Sequence, residues 1–157
     1  MLNSPPMSPP VPVAILDTLC ALLDSEVQSV FRFMGEGSPY LSRATADVRR
    51  PLQEMVETNQ RHVRDLADLI ESLGGVPRLM PGVSPEEQFL AFLSLKFLLP
   101  KLVNEKELVI RRYENALRAL AASAPPEVRG LLESHLAEHR EQLKILQRAS
   151  EEVIRAK

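Results

Sequence analysis

Apolar residues recur every three or four positions along four separate stretches of the chain, a spacing that predicts four amphipathic helices. The first predicted helix runs from about Pro12 to Met34, and the second follows a turn region and ends at about Leu73. The third runs from about Ser84 to Ala122 and the fourth from about Pro126 to Ile154. No stretch shows the two-residue alternation of a half-buried strand, so the pattern predicts an all-α protein.

The connection between the second and third predicted helices decides the topology. It covers Gly74–Val83, and its ten residues could span roughly 33 Å when extended. A bundle helix of roughly 20 to 25 residues has a similar length, roughly 30–38 Å, so the connection can run the length of a bundle. The other connections are short and join antiparallel neighbours. We therefore expect a four-helix bundle of up-down-down-up order, with a long crossover between helices 2 and 3.

The chain is expected to form one domain preceded by a tail. Its 157 residues suffice for a single substantial core. Five of its thirteen prolines lie within the first twelve residues, so we expect residues 1–11 to be a disordered, proline-rich tail and residues 12–157 to form the bundle. The single cysteine, Cys20, excludes an internal disulfide and a thiolate metal cluster.

The composition argues against binding to nucleic acid and against a membrane-spanning segment. The formal net charge is −2 and tryptophan is absent, so neither a basic field nor a stacking platform favours nucleic acid. The apolar stretch Phe89–Val103 is interrupted by Lys96, Pro100 and Lys101, and we therefore expect no membrane span. The first residues lack a basic, apolar leader and the chain lacks paired cysteines, so we expect a cytoplasmic protein.

Polar side chains interrupt the apolar stripe of every predicted helix near its middle. Glu26 lies on the first stripe, Asn59 and His62 on the second, Lys106 on the third and His139 on the fourth. An ionisable group on a buried stripe is costly unless it is paired or bound to a metal. Because such exceptions occur on all four helices, we expect these five residues to share one polar core.

The sequences of predicted helices 1, 2 and 4 resemble those of the ferritin-like superfamily, especially its bacterioferritin and rubrerythrin branches. Helix 1 contains LCALLDSEVQSVFRFM, in which a glutamate precedes aromatic residues, and helix 2 contains TNQRHVRDLADLIESLGGVP, which is similar to the family's Glu-x-x-His pattern and its Gly-Gly-x-Pro helix end. Helix 4 contains LLESHLAEHREQLKIL, which is similar to the second Glu-x-x-His helix. The resemblance covers about residues 12–155. It implies a bundle that holds two irons through one Glu from each of two helices and a Glu-x-x-His pair from each of the other two.

The chain departs from that pattern at three ligand positions. Asn59 and Leu136 stand where the glutamates of the two Glu-x-x-His pairs are expected, and Lys106 stands at the carboxylate position of helix 3. A cation at an iron position opposes metal binding directly. We therefore expect a degenerate di-iron site without a cofactor, in which Lys106 replaces the metal as the counter-charge of Glu26.

An alternative interpretation keeps a metal, either iron or zinc. Glu105 and Glu107 flank Lys106, so a small shift in the register of helix 3 would bring one of them inward. His135 lies four residues before His139, and it either turns its ring to solvent as a boundary residue or joins the ligands. The candidate ligands are then Glu26, His62, His139, Glu105, Glu107 and His135.

The preferred functional hypothesis is a non-catalytic ferritin-like protein that acts through self-association, most simply as a homodimer, or through a protein partner. Apolar residues spread around the Phe89–Leu99 half of helix 3, and such a surplus usually marks an interface. We expect either this half-helix or helix 1 to form the interface. The alternative is an iron- or zinc-binding oxidoreductase that uses an incomplete carboxylate and histidine site. No substrate is indicated by either interpretation.

Overall fold

The computed structural model describes residues 12–32, 47–79 and 95–155. Within these ranges the chain forms four long α-helices and no strand, which confirms the all-α prediction: α1 (Val13–Val27), α2 (Arg49–Ser72), α3 (Leu95–Leu120) and α4 (Pro126–Arg155). The predicted proline-rich tail, the predicted end of helix 1 at Met34 and the predicted start of helix 3 at Ser84 lie outside the described residues.

Two apolar clusters show the direction of each helix. The first cluster combines the whole length of α1 with the C-terminal halves of α2 and α3 and the N-terminal half of α4. The second combines the chain just after α1 with the beginnings of α2 and α3 and the end of α4. Members include Leu19, Ile70, Tyr113 and Leu132 in the first cluster and Phe31, Leu52, Leu102 and Leu146 in the second. The order is therefore up-down-down-up with α2 parallel to α3, as predicted.

α2 ends at a pair of glycines, next to the predicted end at Leu73. Gly74 has a φ of 89°, a backbone conformation that glycine adopts without steric cost. The Gly74 N–H donates to the Glu71 carbonyl at 3.0 Å, and the Gly75 N–H donates to the Ile70 carbonyl at 2.9 Å. These two bonds form a Schellman motif, which satisfies the last carbonyls of the helix and turns the chain into the crossover.

α1 is interrupted where an uninterrupted helix was predicted. It ends at Val27, residues 28–29 are not helical, and the helical conformation resumes at Val30. In a continuous helix the Val30 N–H would donate to the Glu26 carbonyl. It donates instead to Oε1 of Glu105, on α3, at 2.9 Å.

The groups released by this interruption have other partners. The Glu26 carbonyl accepts a hydrogen bond from the Asn59 Nδ2 of α2 at 2.9 Å, and the Ser29 hydroxyl accepts one from the Phe31 N–H at 3.2 Å. Buried backbone groups are rarely left without partners, so these bonds make the interruption stable. Because two of the side chains involved come from other helices, local periodicity could not predict the break.

Of the predicted apolar surplus at Phe89–Leu99, the structure describes the burial of three apolar residues, and the rest lie outside the described residues. Leu98 and Leu99 are fully buried, whereas Phe97 is 62% exposed. Pro100 lies inside the helix, as predicted. Among the described helices, none combines the length and the apolarity needed to cross a bilayer.

Candidate functional site

Seven polar side chains from all four helices meet inside the bundle, and we call this group the polar centre. α1 contributes Glu26 and α2 contributes Asn59 and His62; the other members are Lys106 and Tyr113 from α3 and His135 and His139 from α4. Each of the seven is at most 5% exposed. The structure thus brings together the five residues that were predicted to share a core, and it adds Tyr113 and His135.

The Glu26 carboxylate accepts hydrogen bonds from four side chains. Its Oε1 lies 2.6 Å from His139 Nε2, 3.1 Å from the Tyr113 hydroxyl and 3.3 Å from His62 Nδ1. Its Oε2 accepts a hydrogen bond from Asn59 Nδ2 at 2.9 Å. Burial by itself would raise the pKa of Glu26, but the hydrogen bonds from His139 and His62 outweigh burial and hold that pKa well below its usual value. The group is therefore a carboxylate at neutral pH.

Lys106 has three contacts, and Glu26 is not among them. Its Nζ lies 3.0 Å from His139 Nδ1 and 2.8 Å from Gln142 Oε1, and it stands 4.4 Å from the centre of the Phe31 ring. Burial lowers the pKa of Lys106 to about 8, although Glu26 partly offsets that effect. The side chain is therefore mostly an ammonium at neutral pH.

The expected direct ion pair between Lys106 and Glu26 is absent among the described residues. The His139 ring lies between the two charges, with one nitrogen on each. A lysine side chain reaches several partners from one backbone position, and the stripe predicted only that it points inward. The two charges interact across an imidazole rather than in contact.

His135 is fully buried, so the expectation that its ring faces solvent was wrong. The ring stacks on His62 with 3.8 Å between centroids. Its Nδ1 lies 3.1 Å from the Tyr113 hydroxyl, and its Nε2 lies 3.1 Å from Asp65 Oδ2. Burial, reinforced by the neighbouring His62, lowers the pKa of His135 to about 4. His135 is therefore neutral at pH 7 and belongs to the hydrogen-bonded interior.

At the surface, charged residues of α2 and α4 cover the stacked rings of His62 and His135. Arg61 forms an ion pair with Glu138 and a longer one with Asp65 at 3.8 Å. Glu138 Oε1 in turn lies 3.4 Å from His62 Nε2. Burial opposes ionisation of Glu138, but hydrogen bonding to Arg61 prevails and lowers its pKa. These contacts connect the polar centre to the solvent-facing side of the α2–α4 pair.

Four residues that complete these contacts had no predicted role. Each lies on the same helix face as a residue that was recognised. Tyr113 is seven residues after Lys106, Asp65 three after His62, Gln142 three after His139 and Glu138 three after His135. A search for polar residues at i+3 and i+7 from the recognised positions would have found all four.

Of the two carboxylates that a register shift was to bring inward, Glu105 lies at the edge of the polar centre, where it lines the small cavity beside Glu26 and its charge partly offsets the lowering of the Lys106 pKa by burial, whereas Glu107 does not line that cavity. Lys106 is the buried residue of the three, and both glutamates are half-buried. Glu105 Oε1 accepts the Val30 N–H, as described above. The register of α3 therefore keeps the ammonium inside.

Three residues of the polar centre could hold a single metal ion. Glu26, His62 and His139 each offer one ligand atom, and these atoms all lie within 4.8 Å of one another. Among the described residues, His135, Glu105 and Glu107 do not belong to such a group. Of the predicted ligand set, the structure therefore groups three.

The donor set does not fit a di-iron centre. Such a centre in this kind of bundle uses four carboxylates and two histidines. The polar centre has one carboxylate, Glu26, and α3 contributes the ammonium of Lys106 where a di-iron centre would have a second carboxylate. A cavity of about 10 Å³ adjoins Glu26, Asn59 and Lys106, which is room for about one water molecule.

Asn59 is the residue whose hydrogen-bonding capacity is incompletely used. Its amide nitrogen donates to Glu26 twice, to the carbonyl and to Oε2. Its Oδ1, however, is the one buried side-chain nitrogen or oxygen without a partner within the described ranges. This oxygen is the feature of the polar centre that best suits a further ligand.

The comparisons with known proteins support the fold and leave the chemistry open. No protein-family model matches the chain, and no curated protein matches it in sequence. A solved structure that is similar to this chain is the dodecameric thioferritin of Bacteroides fragilis, a bacterioferritin-related protein. The two share 22% sequence identity and superpose with a TM-score of 0.73, over 93% of this chain and 90% of the other. The resemblance inferred from the sequence is thus confirmed at the level of structure, and this chain has the ferritin-like four-helix-bundle fold.

Proposed function

We propose that this chain is a non-catalytic ferritin-like protein whose di-iron centre is replaced by a polar and ionic core, and that it acts through self-association or partner binding. The observation that carries the proposal is the environment of the Glu26 carboxylate. Side chains of three other helices donate four hydrogen bonds to its two oxygens.

Those donors occupy lone pairs of the carboxylate oxygens that a metal ion would need. A carboxylate has about four lone-pair positions on its two oxygens. Three of the four donors lie on Oε1, so an iron ion that bound Glu26 through this oxygen would have to displace N–H or O–H groups already hydrogen-bonded there. The polar core thus satisfies the buried carboxylate without a metal.

The core already holds both signs of charge without a metal. Glu26 contributes one negative charge and Lys106 one positive charge, while His135 is neutral because its pKa is about 4. Because the core has one carboxylate, adding two ferrous ions would leave a large uncompensated positive charge in a buried site. A core in which a carboxylate and an ammonium are both already present supports a structural role.

Oxidation of ferrous iron tests the non-catalytic part of the proposal. The protein is mixed anaerobically with ferrous iron and exposed to oxygen, and the ferric absorbance is followed beside a ferroxidase-active bacterioferritin as a positive control. We expect no oxidation faster than that of iron in buffer alone. Rapid oxidation that disappears in Glu26→Gln would overturn the proposal in favour of an oxidoreductase.

The self-association part of the proposal is supported by exposed apolar side chains. Phe97 on α3 is 62% exposed and Val13 at the start of α1 is 71% exposed, and these are the two helices that were expected to form an interface. The similar thioferritin is dodecameric. We propose a homodimer as the simplest assembly, and sedimentation velocity distinguishes it from a monomer and from a larger oligomer. We also propose a cytoplasmic location, which the single cysteine supports.

A second candidate function is single-metal binding, which the Glu26, His62 and His139 group favours. Their ligand atoms are close enough to surround one ion, and Asn59 Oδ1 is a spare oxygen nearby. Zinc and ferrous iron both accept this mixture of nitrogen and oxygen ligands. One zinc or iron per chain, lost in Glu26→Gln, would establish this alternative.

A further inference from the structure

The His139 ring contacts both buried charges of the polar centre, and each of its nitrogens faces one of them. Nδ1 lies 3.0 Å from the Lys106 Nζ, and Nε2 lies 2.6 Å from the Glu26 Oε1. Both distances are those of hydrogen bonds. The position of the ring proton therefore depends on which neighbour is a donor.

The ammonium of Lys106 can only donate hydrogen bonds. His139 Nδ1 must therefore accept from it, so in the neutral ring the proton lies on Nε2. The other side of the ring leads to the same assignment, because the Glu26 carboxylate can only accept. Two independent neighbours thus select one tautomer of His139, with N–H directed at Glu26.

A histidine that binds a metal needs the opposite arrangement. The ligating nitrogen presents its lone pair to the metal, and the other nitrogen donates its N–H to a carboxylate, a carbonyl or water. In this protein, Nε2 faces Glu26, a member of the candidate metal group, and Nε2 is the protonated nitrogen. Its outer partner is Lys106, which is a donor where a metal site has an acceptor.

We propose that Lys106 excludes divalent metal from the group formed by Glu26, His62 and His139, by holding His139 in the tautomer that has no lone pair to offer. A carboxylate at position 106 would accept the Nδ1–H, release the lone pair of Nε2 and supply a second negative charge. The same bundle then becomes a site for one zinc ion. This inference rests on the proposed metal-free core and names the residue responsible for it.

Zinc titration of matched variants tests the inference. Lys106→Glu reverses the buried charge, Lys106→Gln removes it while offering an amide oxygen as an acceptor, and Lys101→Glu makes the same charge reversal at an exposed position of α3. Orienting partners of metal-bound histidines change affinity by roughly 10- to 100-fold. We expect Lys106→Glu to bind one zinc at least roughly 10-fold more tightly than the wild type, and Lys101→Glu to bind no better than the wild type.

The tautomer itself is measured on the wild-type protein and does not depend on any substitution of Lys106. Long-range proton–nitrogen NMR spectra of the histidine side chains distinguish a protonated Nε2 from a protonated Nδ1. We expect His139, assigned from a His139→Gln spectrum, to carry its proton on Nε2 and its lone pair on Nδ1. A proton on Nδ1 would overturn the inference even if the Lys106 variants failed to fold.

The outcomes separate this inference from the proposed function. Stoichiometric zinc or iron in the wild type would refute the metal-free core itself. A metal-free wild type together with a folded Lys106→Glu and Lys106→Gln that bind no zinc would leave the core intact and refute the role of Lys106. Circular dichroism establishes whether each variant is folded before its zinc binding is interpreted.

Discussion

Burial of Lys106 makes the stability of the protein depend on pH in the alkaline range. The pKa of this amine falls from 10.5 to about 8 in the folded protein because of burial. Between these two values the unfolded chain binds a proton that the folded chain has released, so the free energy of unfolding rises with pH. Each pKa unit corresponds to about 1.4 kcal/mol, so the full effect is about 3 kcal/mol.

Replacing Lys106 by Met removes this titration while keeping an unbranched side chain of similar length. Urea unfolding of wild type and Lys106→Met is measured by circular dichroism at intervals from pH 7 to pH 10.5 and extrapolated to water. We expect the wild type to gain stability relative to the variant by about 3 kcal/mol across that range. The pKa of Tyr113 is raised well above 10 by burial, and its own contribution is shared by both proteins and largely cancels in the difference.

Lys101→Met is the matched control because Lys101 is exposed on the same helix. Its stability should follow that of the wild type at every pH. If Lys106→Met also runs parallel to the wild type, the folded lysine titrates like a solvated one. The ammonium would then not be buried against His139, and the interpretation of the polar centre would fail.

Three further predictions follow from other contacts. Glu105→Gln should lower the free energy of unfolding in urea by about 1–2 kcal/mol, because it removes the charge-assisted hydrogen bond from the Val30 N–H. The control Glu107→Gln should change it by less than about 0.5 kcal/mol. Equal effects of the two substitutions would argue against the Val30 hydrogen bond. Burial lowers the pKa of His135 from 6.5 to about 4, so between pH 6.5 and 4 the unfolded chain binds more protons than the folded one. The free energy of unfolding should therefore fall as the pH is lowered through this interval. A His135→Gln variant that loses stability just as steeply would contradict this prediction. If the exposed Phe97 lies in the self-association interface, Phe97→Glu should lower the sedimentation coefficient to that of a monomer, and an unchanged oligomer would exclude it from the interface.

The four helices and their order could be predicted because local features determine them. Apolar spacing identifies each buried face, and the glycine pair at Gly74 marks the end of α2. The convergence of Glu26 and His62 also follows from local information, since an antiparallel hairpin brings residues at matching distances from the turn to one level.

The partners within the polar centre could not be predicted in this way. The interruption of α1 depends on Glu105, which is 75 residues away from Val30 in sequence. Burial of His135 depends on Asp65 and Tyr113, which lie on two other helices within hydrogen-bonding distance of its two ring nitrogens. Lys106 was correctly expected to point inward, but its partners are decided by which atoms of α4 lie within reach of a long side chain.

The metal content of the wild-type protein tests the central claim most directly. Protein purified without a chelator is incubated anaerobically with excess ferrous iron, desalted and measured by inductively coupled plasma mass spectrometry against its concentration. Because the Glu26 carboxylate is already bound by protein donors, we expect well under one iron per chain. A ratio close to two irons per chain, the content of a di-iron centre, would contradict it.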